Sequence, residues 1–273
     1  MFSVRGIRFG GNAPLVLIAG PCVVESRDLI MRTAETIRSL AKKHRMPVVF
    51  KSSYKKANRT SGSAFSTIGE DKALAILAEV RRELGMPVLT DVHTEGEVIA
   101  ASEVADILQI PAFLCRQTDL LQAAGRTGRA VNIKKGQFVA PGDMAQAAEK
   151  VAATGNTKIM LTERGTTFGY HNLVVDMRSL QIMHDIGYPV VLDATHSVQL
   201  PGSARSASGG QPEFIFPIAR AGVAVGCDAV FIETHPDPRR AKSDATSQLK
   251  LSLLGGLLKQ IAATDRTRRT VVR

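Results

Sequence analysis

Short apolar, β-branched runs recur along the chain with amphipathic segments between them: 15–19, 47–50, 87–90, 107–110, 130–133, 159–162, 189–192 and 229–232. Their near-continuous apolarity, rather than strict alternation, predicts strands of a parallel sheet buried on both faces. The spacing averages about 30 residues, the size of a βα unit. Between the runs, Ser26 is placed to cap a helix with Leu29, Ile30, Ile37 and Leu40 on one face, and Pro141 opens another bearing Met144, Ala147, Ala148 and Val151. Two segments are less regular: 214–225 is interrupted by Pro217 and Gly222, and 249–261 contains Gly255-Gly256, so their ends are open by several residues. At 1–11, Val4, Ile7 and Phe9 alternate with Arg5 and Arg8, which predicts a small hairpin ahead of the first strand.

Eight βα units without a linker predict a single (β/α)8 TIM barrel over 1–273. A doubly wound open sheet is the competing α/β reading, but no Gly-x-Gly-x-x-Gly fingerprint follows any strand. Three irregularly spaced cysteines, no signal-peptide pattern and no apolar run near about 18 residues are read as a cytoplasmic protein without a membrane partner. The formal charge of +10 invites a nucleic-acid reading, yet aromatic content is 5% and no basic stripe with interleaved aromatics appears. Part of the excess sits in a basic segment, 265–273, expected to fray in solvent. The remaining positive charge suits small anionic substrates.

In a barrel, functional groups come from the C-terminal ends of strands and the loops after them. Read in turn, the ends present Cys22, Lys51, Asp91 with His93, Gln109, Lys134, Glu163 with Arg164, Asp193 with His196, and Glu233 with His235. Barrel closure makes the ends of the first, seventh and eighth strands neighbours. It therefore gathers Cys22, His196, Glu233 and Asp244, a mixed soft, borderline and hard donor set suited to a divalent transition metal. Taken singly, Cys22 reads as a small buried hydrophobe and His196 as a satisfied loop histidine; taken together, the metal reading is the better one. A second constellation is cationic: Lys51, Lys56 and Arg59 after strand two, Arg116 after strand four, Lys134 after strand five and Arg164 after strand six. A strand-terminal lysine in a barrel mouth requires a bound anion or carboxylate partners, and phosphate suits such a set.

At these residues the chain resembles the 3-deoxy-D-manno-octulosonate 8-phosphate synthase family, through "IAGPC", "KANRTS", "TDVH", "QIPAFLCRQTDLL", "NIKKGQF", "ERGTTFGY", "DATHSVQLPG" and "FIETHPDP", over about residues 15–250. "GPC" alone also fits the related enzyme that uses erythrose 4-phosphate, but that relative carries Lys-Pro-Arg where this chain has Lys56-Ala57-Asn58-Arg59.

The resemblance implies condensation of phosphoenolpyruvate with arabinose 5-phosphate and water in lipopolysaccharide sugar biosynthesis, by a homotetrameric barrel of the metal-dependent branch. That branch has cysteine at the position of Cys22, where the metal-free branch has asparagine. Cys22, His196, Glu233 and Asp244 match the family's ligands, with iron, manganese, zinc or cobalt admissible. Lys56, Lys134 and Arg164 match the groups that hold phosphoenolpyruvate, with Lys51, Gln109 and Phe113 nearby. Asn58, Arg59 and Thr60 match the sugar-phosphate contacts, and Arg116 matches an arginine that reaches the sugar phosphate across a subunit interface. Asp91 and His93 read either as proton-transfer groups or as structural hydrogen-bonding ones. The chain departs from the family at 64–69 and at His171, where asparagine or aspartate is more usual. An erythrose 4-phosphate acceptor and a catalytically silent anion-binding barrel are the alternative readings.

Overall fold

The computed structural model describes residues 1–57, 64–202 and 209–271. Eight parallel strands form a closed barrel: β1 (Val16–Gly20), β2 (Val48–Lys51), β3 (Val88–Asp91), β4 (Ile107–Ile110), β5 (Ala130–Lys134), β6 (Ile159–Glu163), β7 (Val190–Asp193) and β8 (Ala229–His235). Each pairs with its sequence neighbour, and β8 closes the ring on β1 (Glu233 beside Gly20) while also pairing with β7 (Asp193 beside Phe231). Outside lie α1 (Arg27–Lys43), α2 (Glu70–Leu84), α3 (Glu95–Val104), α4 (Thr118–Arg126), α5 (Met144–Ala152), α6 (Arg178–His184), α7 (Ile215–Val225) and α8 (Leu251–Val271). The arrangement is the expected (β/α)8 barrel.

Period-two alternation divides every strand between two cores. Outward residues such as Leu17, Phe50, Val88, Leu108, Val131, Leu161, Leu192 and Val230 pack under the helices. Inward residues, Val16, Ile18, Val49, Leu89, Ile107, Ala130, Met160, Val191, Ala229 and Phe231, fill the barrel. The predicted N-terminal hairpin, Phe2–Val4 paired with Ile7–Phe9, stops the lower end of that inner core. Its turn residues Arg5 and Gly6 both have positive φ, as a two-residue hairpin turn demands. Phe9 is fully buried against the barrel interior and stacks on Phe2 at 5.3 Å, a burial that contributes about 1.5–3 kcal/mol.

The irregular helices have local causes. Ser26 caps α1 by accepting the Leu29 N–H at 3.3 Å. Pro217 falls in the first turn of α7, where an N–H has no helical partner to lose. Gly222 lets α7 approach β7: a Cβ there would lie 2.1 Å from Leu192 Cδ2.

Sequence periodicity ended the last helix near Ile261; α8 instead continues to Val271. Arg268 and Arg269 bind Asp265, and Arg269 also donates to the carbonyls of Asn12 and Ala13. Residues 265–271 are therefore helical and tied down, not the solvent-frayed tail expected. Among the described residues, no helix is long and apolar enough to cross a membrane.

Candidate active site and metal centre

The inward rows change character as they climb. Above Ile18, Val49, Leu89, Ile107, Ala130, Met160, Val191 and Phe231 stand Gly20, Lys51, Asp91, Gln109, Asn132, Thr162, Asp193 and Glu233, each two residues further along its strand. One polar layer thus caps the apolar filling. Much of it is cross-linked: Thr162 Oγ1 donates to Asn132 Oδ1 at 2.6 Å, Asn132 Nδ2 donates to Gln109 Oε1 at 2.8 Å, and Gln109 Nε2 and Ser53 Oγ donate to the two oxygens of Asp91. Burial would raise the pKa of Asp91, but Lys51 and Lys56, with the Ser53 hydroxyl, hold it well below the usual carboxylate range. Above this layer opens a cavity of about 600 Å³ lined by Lys51, Lys56, Asp91, His93, Gln109, Phe113, Lys134, Arg164, His196 and Asp244, among others.

On one side of the cavity, Cys22, Glu233 and Asp244 offer donor atoms all within 4.8 Å of one another. Gly20, at the end of β1 beside Glu233, lets β1 lie close against β2, because a Cβ there would lie 1.9 Å from the Lys51 carbonyl oxygen. The loop after β8 returns as a short strand, Leu249–Lys250, on Thr234 and His235, and so folds Asp244 over Cys22. Gln248 fixes the join, its Oε1 accepting the Cys22 N–H at 3.2 Å while its Nε2 donates to the Ser243 carbonyl at 2.7 Å. Cys22 Sγ lies 3.1 Å from Asp244 Oδ2 and 3.0 Å from Ser243 Oγ.

His196 completes this side from a turn after β7. Asp193 Oδ1 accepts its N–H at 2.9 Å, and Asp193 Oδ2 lies 2.7 Å from its Nδ1. That carboxylate engages Nδ1, which leaves Nε2 facing Glu233 Oε2 and Asp244 Oδ2, each at 3.8 Å. Burial, with Asp244 and Glu233 alongside, pushes the Cys22 thiol well above its ordinary pKa. A buried thiol against two carboxylates is an arrangement that a cation stabilises. One sulfur and two carboxylates gathered in this way are a donor set able to hold a divalent cation, with the His196 imidazole beside them rather than within the cluster.

The cationic wall surrounds the rest of the cavity. Three of its lysines have a carboxylate partner: Lys51 with Glu233, Lys134 with Asp193, and Lys56 with Asp91 at 3.7 Å. Lys51 and Lys134 also lie over the Phe231 ring, which floors the site. Arg164 differs. Its Nη2 donates to Gln199 at 2.8 Å, whereas its buried Nη1 has no hydrogen-bond partner among the described residues.

Several expected residues fall elsewhere. Asn58, Arg59 and Thr60 lie outside the described residues. Arg116 is exposed beside a second, smaller cavity with Cys115, Phe138 and Lys150, so one chain does not bring it to the main cavity. Glu163 and His235, read as strand-end groups, do not line the cavity: Glu163 points to the outer side of the wall against Lys135, and His235 lies 3.6 Å from Glu25. His171 bonds the Pro201 carbonyl at 2.8 Å with φ +54°, a conformation that asparagine adopts more readily. Sequence reading missed Ser53, Asn132, Thr162, Gln199, Ser243 and Gln248. For Asn132 and Thr162 a signal existed, since each is a polar residue two positions before a cavity cation inside an otherwise apolar run.

Comparison with known proteins places this geometry. The model of the DAHP synthetase I family matches residues 2–269. A 2-dehydro-3-deoxyphosphooctonate aldolase of Syntrophotalea carbinolica is 55% identical over 263 residues, covering 96% of this chain and 95% of its own. Proteins of the same name from Magnetococcus marinus (54% over 267 residues; 98% and 93% covered) and Geobacter sulfurreducens (52% over 263; 96% and 97% covered) are similarly alike.

Proposed function

Because the chain belongs to the DAHP synthetase I family, and within it to the 2-dehydro-3-deoxyphosphooctonate aldolases, we propose that it condenses phosphoenolpyruvate with arabinose 5-phosphate and water. The products are 3-deoxy-D-manno-octulosonate 8-phosphate and inorganic phosphate. The observation that carries this reading is Arg164, which lines the cavity with Lys51, Lys56, Lys134 and Lys242 and whose buried Nη1 has no hydrogen-bond partner among the described residues. An orphaned buried guanidinium nitrogen calls for an anion.

In this reading Lys56, Lys134 and Arg164 hold the carboxylate and phosphate of phosphoenolpyruvate, beside Lys51, Gln109 and Phe113. Asn58, Arg59, Thr60 and a neighbouring subunit's copy of Arg116 serve the sugar phosphate, which makes a homotetramer part of the site. C3 of phosphoenolpyruvate joins the aldehyde carbon, water adds at C2, and phosphate leaves by C–O cleavage. The aldehyde oxygen gains charge as the bond forms, and the cationic wall offsets it. Asp91 is an orienting group, because both its oxygens are engaged and its pKa is held too low for an efficient base. His93 has its Nδ1 fixed by Glu97 at 2.9 Å and lines the cavity, which leaves it the proton-transfer candidate. Cys22, His196, Glu233 and Asp244 would hold a divalent iron, manganese, zinc or cobalt ion, which would supply Lewis-acid stabilisation of developing negative charge.

The test is phosphate release from phosphoenolpyruvate with each candidate acceptor, before and after chelation. Release with arabinose 5-phosphate at least about tenfold faster than with erythrose 4-phosphate is expected, and chelation removes it. Equal release with both sugars, or none with the pentose phosphate, contradicts the assignment of acceptor.

A further inference from the structure

Lys134 and Arg164 face the cavity, but each has a charged sequence neighbour that faces the other way. Lys135 and Glu163 lie on the outer side of the barrel wall, 0% and 1% exposed, with Nζ 3.5 Å from Oε1. A buried ion pair of this kind is a weak source of stability, since well-packed apolar residues of the same volume do as well or better. Its contacts point to another role. Glu163 Oε1 accepts the N–H groups of Arg164 at 2.8 Å and Gly165 at 2.6 Å. Lys135 Nζ donates to the Gly165 carbonyl at 3.3 Å and Thr166 Oγ1 at 3.1 Å, and on its own loop to the carbonyls of Gly136 and Val139 at 3.4 Å. Gly165 sits at φ +93°, in a region that leaves the backbone beyond Arg164 without a side chain to anchor it. The pair therefore grips the Gly165 residue at both its N–H and its carbonyl, and ties the loop after β6 to the loop after β5. The same two loops meet again where Thr167 N–H donates to the carbonyl of Gln137, itself a cavity residue.

We propose that Lys135 and Glu163 are positioning residues for Arg164: the outward pair fixes the backbone from which the guanidinium reaches the phosphoenolpyruvate anion. The inference rests on the reading that Arg164 holds that substrate. It requires selectivity, because the sugar phosphate is held by other loops.

Calorimetric titration with phosphoenolpyruvate, together with KM for each substrate, tests it on the full-length protein. Lys135→Met is expected to weaken phosphoenolpyruvate binding at least about tenfold while KM for arabinose 5-phosphate moves less than about twofold. In an Arg164→Lys background the same change is expected to cost less than about threefold, since the group being positioned is gone. Should Lys135→Met fail to fold in a thermal melt, Glu163→Gln decides. It keeps an acceptor oxygen for both N–H groups but loses the charge that holds Lys135, and its smaller loss should likewise be selective and vanish in the Arg164→Lys background. Wild-type affinity in the variant, equal loss for both substrates, or the full loss retained without Arg164 overturns the proposal while leaving the function standing. A wild-type protein that does not bind phosphoenolpyruvate overturns both.

Discussion

Lys134→Met is expected to lower kcat/KM for phosphoenolpyruvate by roughly 10³-fold, about 4 kcal/mol of transition-state stabilisation. Lys134 is buried at the end of β5, pairs with Asp193, and approaches His196 Nδ1 at 3.3 Å and the Phe231 ring at 4.3 Å. In the proposed function the cation serves an incoming anion; it also holds Asp193, whose Oδ1 accepts the His196 N–H. Methionine fills much the same volume but leaves the buried Asp193 carboxylate without its lysine partner. Breaking a buried pair from one side costs about 3–5 kcal/mol, so a lower melting temperature should accompany the kinetic loss. Steady-state kinetics and a thermal melt on the same preparation check both. A loss under tenfold would show that the anion is held elsewhere.

Cys22→Ala is expected to reduce affinity for the divalent ion by at least about 100-fold, read as metal content after dialysis and by titration with cobalt. In the proposed ligand set the Cys22 sulfur is the only soft donor, and its removal leaves the Glu233 and Asp244 carboxylates of the cluster, with the His196 imidazole, at much lower selectivity. Fold is expected to survive, because the change empties little volume and Gln248 still accepts the Cys22 N–H through the backbone. Activity should fall with metal content and be recovered in part by excess metal. A variant that keeps both its metal and its rate would remove Cys22 from the ligand set.

Much of this architecture was legible in the sequence because parallel barrel strands are buried on both faces, so eight apolar runs at βα spacing stand out. The hairpin was legible from the alternation of Val4, Ile7 and Phe9 with Arg5 and Arg8. Less was legible where the pattern depends on distant partners. Helix α8 outran its periodicity because Gly255-Gly256 and the basic residues after Ile261 mask its apolar face, and Asp265 holds those arginines. The convergence of Cys22, Glu233 and Asp244 followed from closure, but the Gln248 clasp that seats Asp244 joins positions 226 residues apart. Strand-end position alone treated Glu163 like Arg164. Inward parity separates them, since Arg164 projects into the cavity from just beyond the strand while Glu163, one residue earlier, meets Lys135 outside. The same parity shows why Asn132 and Thr162 are polar inside apolar runs: they belong to the layer on which the cavity rests.

The most direct test of the account is the fate of the oxygen that bridges carbon and phosphorus in phosphoenolpyruvate. Substrate labelled there with a heavy oxygen isotope would be turned over with arabinose 5-phosphate, and both products weighed by mass spectrometry. An eight-carbon 2-keto acid phosphate free of the label, with all of it in the released phosphate, is the predicted result. Label retained in the sugar product, or no eight-carbon product at all, would contradict the condensation and the C–O cleavage assigned to this cavity.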